Sequence, residues 1–317
     1  MKSKIAVILL AMGGPETTAD IPEFLYNIFS DRAIIRLPGG AILQKPFAAL
    51  ISRLRTKNVA HHYEQIGGGS PLLHWTLCQA RHIEEQLQRD FDEAKCYVGM
   101  RYFGPSIESA IKAAIQDGFN RIYFLPLYPQ YSKATTGSSF DEARRILERE
   151  PQVIATFIND FHDNPEYASL LGLYIQRNIR PDETLMFSAH SLPQKFFDEG
   201  DPYVTQVKAT AALAAGKREY VLSFQSRTGP VKWVGPDTVD EVKRLLEDSA
   251  RKLFIVPISF VCDHIETLHE IDIQLKEIVG PGKAERVRRM PMFNDDTSFG
   301  RILSNLIRSK AGQIVGK

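Results

Sequence analysis

The chain has 317 residues, 44% of them apolar and 24% charged, and its 39 Lys and Arg against 38 Asp and Glu give a net charge of +1. That length points to about two domains, and so balanced a charge implies no broad basic field, so nucleic acid is not a favoured partner. The three cysteines, Cys78, Cys96 and Cys262, contain no C-x-x-C pair, which speaks against a zinc or dithiol site and for a reducing, cytoplasmic setting.

The first element is predicted over 5–12, where "IAVILLAM" is too short for a spanning helix and lacks a cleavage site after it. A buried strand fits. Residues 20–66 follow with no clear strand: the apolar clusters "FLYNIF", "AIIRLP" and "FAALI" are broken by Pro22, Pro38, Gly39, Gly40 and Pro46. This predicts an insertion or lid that leaves the sheet. From there strands alternate with helices. A helix over 72–90 precedes a strand at 95–101, a helix at 105–117 a strand at 121–127, and a helix at 139–149 a strand at 152–158. The order continues with helix 164–178, strand 184–189, helix 203–215, strand 219–225, helix 237–249 and strand 252–260. Helix 264–277, strand 285–290 and helix 297–310 complete it. Continuous apolar strands separated by helices define an α/β protein with parallel sheets covered on both faces.

The order also repeats. "LLAMGGP" (9–15) matches "MFSAHSLP" (186–193), placing Ala11, Met12 and Pro15 against Ala189, His190 and Pro193. "CYVGMRY" (96–102) and "EYVLSFQ" (219–225) each precede a helix, and "RIYFLPLYPQYS" (121–132) parallels "KLFIVPISFVCD" (252–263), each strand meeting a proline at the same place. Two similar open α/β halves are expected, over 1–160 and 161–317, with Met12 and His190 at matching strand ends.

Ligands of open parallel sheets bind beyond the carboxyl ends of the strands. "SAHSLP", "CDHIETLHE" and "YPQYSKATTGSS" all fall there. In the second of these, Asp263 as N-cap with Glu266 at the third helical position accounts for two residues by capping alone. His264, His269 and Glu270 remain. On a helix Ile265, Leu268, Ile271 and Leu275 form an apolar stripe, and Glu266 and Glu270 stack on one face. Such a pair is either a solvated surface or a path for a cation or a proton. His190 is either a strand-end histidine bonded to a carbonyl, or a general base or metal ligand. No G-x-G-x-x-G, P-loop or G-x-S-x-G pattern is present, and "IGGGSP" and "TTGSS" read as turns and caps or as phosphate cradles. Met12, Tyr102, Leu127, Tyr128, Tyr131, Trp233 and Phe260 cluster at strand ends, which suggests a flat apolar ligand.

Taken together, "LLAMGGPET", "IGGGSPL", "YPQYSKATTGSS", "SAHSLPQ", "GPVKWVGP" and "FVCDHIETLHEID" closely resemble the ferrochelatases, which insert Fe²⁺ into a porphyrin, from about residue 5 to past residue 300. The resemblance implies a chelatase fold of two Rossmann-like halves, with the last helix, about 295–311, packing on the first. It implies a catalytic set of His190, Glu266, His264, Asp263 and Glu270, with His190 and Glu266 meeting the metal and Met12 facing His190 across the porphyrin. It carries Arg101, Tyr102, Tyr128, Gln225, Ser226, Trp233 and Phe260 to porphyrin-binding positions. Arg53, Arg55 and Lys57 are candidates for the propionates, against the plainer reading of solvated surface charges. Lys133 stands where cluster-bearing relatives have cysteine and no cysteine follows Cys262, so no [2Fe–2S] cluster is expected. "MGGP" and "YPQYS…TTGSS" resemble the branch using protoporphyrin IX; a coproporphyrin III enzyme, a cobalt or nickel chelatase and a non-catalytic porphyrin carrier are the alternatives. Segment 24–51, with Arg32, Arg36 and Lys45 among its apolar residues, is either an ordinary packed lid or a lip that rests peripherally on a membrane.

Overall fold

A computed structural model describes residues 4–35, 40–229 and 231–315, without the side chains of 313–315; Arg36, Pro38 and Gly39 lie outside the described residues. The chain divides into two compact units. One comprises Met1–Tyr128, Lys133–Asp160 and Asn294–Lys317, the other Pro129–Ser132 and Phe161–Phe293.

In the first unit, β1 (Lys4–Ala11) leads into α1 (Ile21–Ser30), α2 (Gly40–Glu64) and α3 (Leu72–Leu87). Then come β2 (Glu93–Met100), α4 (Ile107–Gln116), β3 (Arg121–Pro126), a π-helical turn (Lys133–Gly137), α5 (Ser138–Leu147) and β4 (Ile154–Phe157). The sheet is parallel, in the order β2-β1-β3-β4. Its central strand β1 is buried from Ile5 to Ala11, and Ala6, Ile8 and Leu10 turn one face toward α4 and α5 through Ile111 and Phe140. An uninterrupted apolar strand is what burial on both faces demands.

The second unit repeats the plan with α6 (Pro165–Asn178), β5 (Glu183–His190), a short α7 (Gln194–Asp198), α8 (Tyr203–Ala215), β6 (Tyr220–Gln225), α9 (Thr238–Leu245) and β7 (Lys252–Pro257). Beyond β7 lie α10 (Ile265–Leu268), a second π-helical turn (Glu270–Leu275), α11 (Lys276–Val279), α12 (Pro281–Ala284) and β8 (Val287–Arg289). The sheet order is β6-β5-β7-β8, again parallel. A final helix, α13 (Thr297–Val315), packs on α3 of the first unit.

Register makes the repeat exact in its details. Leu10 pairs with Pro126 as Ser188 pairs with Pro257, so Met12 and His190 hold equivalent places. Gly99 and Met100 correspond to Ser223 and Phe224, which sets Arg101 against Gln225 and Tyr102 against Ser226. Met100 N–H donates to Pro105 O at 2.7 Å, and Phe224 N–H donates to Pro236 O at 2.8 Å. The next residue in each case, Ser106 or Asp237, caps the following helix through its side chain.

Two local expectations are corrected. Pro46 does not break the chain: α2 runs through it. The missing N–H leaves the Ile42 carbonyl without its helical donor, and Ile42 is 88% exposed, so water can serve it. The helix expected over 264–277 is instead α, then π, then α. It starts one residue later than the Asp263 cap requires: His264 is the N-cap, its N–H donates to Thr267 Oγ1 at 3.0 Å, and the Thr267 hydroxyl is within 3.0 Å of Asp263 Oδ1.

Candidate active site

At the carboxyl end of β5 the backbone N–H of His190 donates to Ser259 Oγ at 3.2 Å, and Tyr203 Oη donates to His190 O at 2.9 Å. Tyr203 Oη and Ser259 Oγ are 2.6 Å apart, which closes a ring of bonds beneath the histidine. Its imidazole, 39% exposed, places Nδ1 2.7 Å from Glu266 Oε2, the carboxylate being only 14% exposed. With Glu266 accepting at Nδ1, the neutral ring presents a lone pair at Nε2.

Glu266 and Glu270 meet on one hydroxyl. Ser226 Oγ lies 2.8 Å from Glu266 Oε2 and 2.5 Å from Glu270 Oε2. A hydroxyl has one proton, so both bonds form when Ser226 donates to Glu266 and Glu270 keeps its own proton to donate to Ser226. Electrostatics agree. Burial disfavours charge on Glu266, but the charge and bond of His190, with His264 and Ser226, outweigh it and bring its pKa to about 2. For Glu270, burial and the neighbouring Glu266 charge prevail and raise the pKa to about 7. Burial also works against charge on His190, yet Glu266 prevails and the net direction is upward.

Ser226 occupies this bridge at a cost: its φ is +67°, left-handed for a side chain other than glycine. Gln225, expected at the porphyrin, is 6% exposed and holds the same acids, its Nε2 donating to Glu266 O at 3.0 Å and Glu270 Oε2 at 3.2 Å. Ser188 Oγ, donating to Gln225 Oε1 at 2.6 Å, sets which way that amide points. His264 stands aside, its Nδ1–H donating to Cys262 O at 3.2 Å and its Nε2 3.8 Å from Glu266 Oε1. Burial lowers its pKa, so the ring is neutral near pH 7. Phe260 meets it edge-on, ring centroids 4.3 Å apart. Asp263 is turned elsewhere, pairing with Arg289 at 2.9 Å. Trp233 bridges to Pro193 on the loop after His190, and its Nε1–H donates to Thr228 O at 3.1 Å.

In the first unit the matching strand ends carry half-buried Met12, and Arg101 and Tyr102 gathered on Asp31. Asp31 Oδ2 accepts from Arg101 Nη2 at 2.7 Å, Tyr102 Oη at 2.7 Å and Ser138 Oγ at 2.9 Å. These bonds outweigh burial and hold its pKa below the usual carboxylate value. Tyr128 is half-buried just past β3, and Arg53, Arg55 and Lys57 are exposed on α2. Asp31, Tyr203, Ser259 and Ser188 escaped sequence reasoning. Asp31 lies in the segment without periodicity, and the others are ordinary strand-end or helix-start residues until the fold joins them.

The ferrochelatase family profile matches residues 4–311. The chain belongs to the ferrochelatase family. A ferrochelatase of Geotalea daltonii is 41% identical over 322 residues, covering 99% of this chain and 100% of the relative. One of Geobacter metallireducens is 42% identical, covering 98% and 100%, and one of Rippkaea orientalis 41%, covering 96% of this chain and 82% of the relative. Among solved structures, SirB from Bacillus subtilis with Fe3+ aligns at a TM-score of 0.59 and 14% identity, covering 99% of this chain and 98% of that one. At that identity the likeness shows the fold, which is the chelatase fold. Metal insertion into a porphyrin for haem synthesis is the family's reaction, and porphyrin and iron are its substrates.

Proposed function

We propose that this ferrochelatase makes protohaem from protoporphyrin IX and Fe²⁺, with the His190–Glu266 pair taking the pyrrole protons. The observation that carries the assignment is the bond of His190 Nδ1 to Glu266 at 2.7 Å, which leaves Nε2 as the basic atom on a partly exposed ring. Iron enters only after the macrocycle bends and two protons leave it. A proton taken at Nε2 makes an imidazolium that the Glu266 carboxylate stabilises at once. Ser226 connects Glu266 to Glu270, and Glu270, once it has released the proton it holds, takes the next one through that hydroxyl, or the two acids replace waters on the incoming Fe²⁺. In the unit that holds His190, Trp233 and Phe260 supply apolar shape against which a bent ring is bound, so that binding energy goes into distortion.

Substrate choice follows from charge. Coproporphyrin III carries twice as many propionates as protoporphyrin IX, and Arg101 already has its charge compensated by Asp31 at 2.7 Å. Anaerobic incubation with Fe²⁺ and either porphyrin, followed by visible spectra, tests this. The expected result is a protohaem spectrum and slower turnover of coproporphyrin; faster coproporphyrin turnover reverses the assignment. A carrier that only binds porphyrin has no use for acids joined behind a histidine. A resident [2Fe–2S] cluster needs four ligands, usually thiolates, and this sequence has three cysteines.

No helix among the described residues is long and apolar enough to cross a membrane. Peripheral contact at the cytoplasmic face is the reading we favour for α2, where Ile42 (88% exposed), Leu50 and Leu54 stand among exposed Lys45, Arg53, Arg55 and Lys57. Co-sedimentation with phosphatidylserine vesicles at low salt should occur and should weaken for Leu54→Asp. A chain that stays wholly in the supernatant removes the membrane contact.

A further inference from the structure

One guanidinium reaches both ends of the segment that carries the acids. Arg289, the last residue of β8, pairs with Ile255 of β7, which fixes where its side chain starts. Its Nη1 meets Asp263 Oδ1 at 2.9 Å, just before α10. Its Nε and Nη2 meet Asp272 at 3.0 and 2.7 Å, inside the π-helical turn. Between these two anchors lie His264, Glu266 and Glu270. The Arg289 side chain is 10% exposed, Asp263 15% and Asp272 30%.

We propose that Arg289 is a positioning residue for metal insertion, a clasp whose grip on Asp263 and Asp272 holds Glu266 and Glu270 where both reach Ser226. This deepens the function proposed above and rests on it. A buried ion pair adds little stability over well-packed apolar residues, so stability is a poor reason for this arrangement. What a planar guanidinium supplies is direction: the two-point grip on Asp272 fixes the orientation of the turn as well as its distance from β8. Direction matters because the π-helical turn departs from α geometry immediately after His269. There the N–H of Gln274 donates to His269 O at 2.8 Å, five residues back. Single π turns inside α-helical stretches are rare and frequent at functional sites, and the Arg289–Asp272 bonds tie this one to β8. Asp263 also lies within 3.0 Å of the Thr267 hydroxyl that caps α10, so the clasp reaches the start of the helix carrying Glu266. Asp263 therefore acts through Arg289 and Thr267 rather than on substrate.

The experiment compares wild type with Arg289→Gln, Arg289→Lys and Asp272→Asn, measuring porphyrin affinity by fluorescence quenching and metal insertion per porphyrin-loaded molecule. Arg289→Gln should lower the insertion rate about tenfold or more and raise the KM for Fe²⁺, with porphyrin affinity changed by less than about twofold. Arg289→Lys, which restores a charge without the planar fork, should recover part of the rate. If Arg289→Gln fails to fold, Asp272→Asn carries the test, losing rate in the same direction with the Asp263 pair intact. A fall in thermal stability with an unchanged insertion rate and KM per loaded molecule makes the clasp merely structural and overturns the proposal. Failure of wild type to insert iron, or full activity of His190→Ala, refutes the underlying functional reading instead.

Discussion

The surroundings of Glu270 oppose its charge, and the sign of that opposition can be measured. Its pKa is raised from 4.5 to about 7, chiefly by burial and then by Glu266. Between those values the folded chain binds more protons than the unfolded one, so stability falls as pH rises through the window. Glu270→Gln imitates the protonated acid and removes this loss. Urea unfolding should find the variant close to wild type at pH 5 and more stable by about 1–3 kcal/mol at pH 8. A variant less stable than wild type at pH 8 would show that the native surroundings favour the charged carboxylate of Glu270 instead of opposing it. Sequence alone revealed the spacing of Glu266 and Glu270 but not this asymmetry. The difference comes from Ser226, whose left-handed backbone brings one hydroxyl to both acids.

At the scale of elements, β5 and β6 are joined by more than their ladder. Ser188 Oγ donates to Gln225 Oε1 at 2.6 Å and lies 2.8 Å from Thr238 Oγ1, which in turn lies 2.9 Å from Ser223 Oγ. All four side chains are buried. Ser188→Ala leaves Gln225 Oε1 short of a donor in a dry interior, a loss of about 1–3 kcal/mol in urea unfolding. It also frees the amide that holds Glu266 and Glu270, so turnover should fall along with stability; unchanged turnover would mean the amide keeps its orientation without Ser188. Most of the strands were legible as apolar runs ended by proline, glycine or a polar turn, β8 with its two arginines excepted, and all eight predicted strands form. The segment 264–277 was misread in detail because an apolar stripe every three or four residues fits α and π turns alike. The move of the N-cap from Asp263 to His264 was equally hidden, since aspartate is the commoner cap and the Thr267 hydroxyl bonds both residues only once the chain is folded.

At the scale of the molecule, the two sheets share one strand order, and the equivalence of Met12 with His190 follows from register. Similar scaffolds carry different chemistry. Where the second unit sets Gln225 and Ser226 on a pair of glutamates, the first sets Arg101 and Tyr102 on Asp31. The repeat was legible from "LLAMGGP" and "MFSAHSLP", because strand-end residues that shape a loop must keep their spacing from the strand. The divergence was not, because Asp31 reaches its partners from a distant helix end. Porphyrin bound to the native fold alone should raise the thermal midpoint in proportion to the logarithm of its concentration.

The central claim is that His190, held by Glu266, removes the pyrrole protons. Its most direct test is single-turnover insertion of Fe²⁺ into protoporphyrin already bound to His190→Ala under anaerobic conditions. Quenching of porphyrin fluorescence on binding should be unchanged and the insertion rate lower by about a hundredfold or more. Insertion at close to the wild-type rate would contradict the claim.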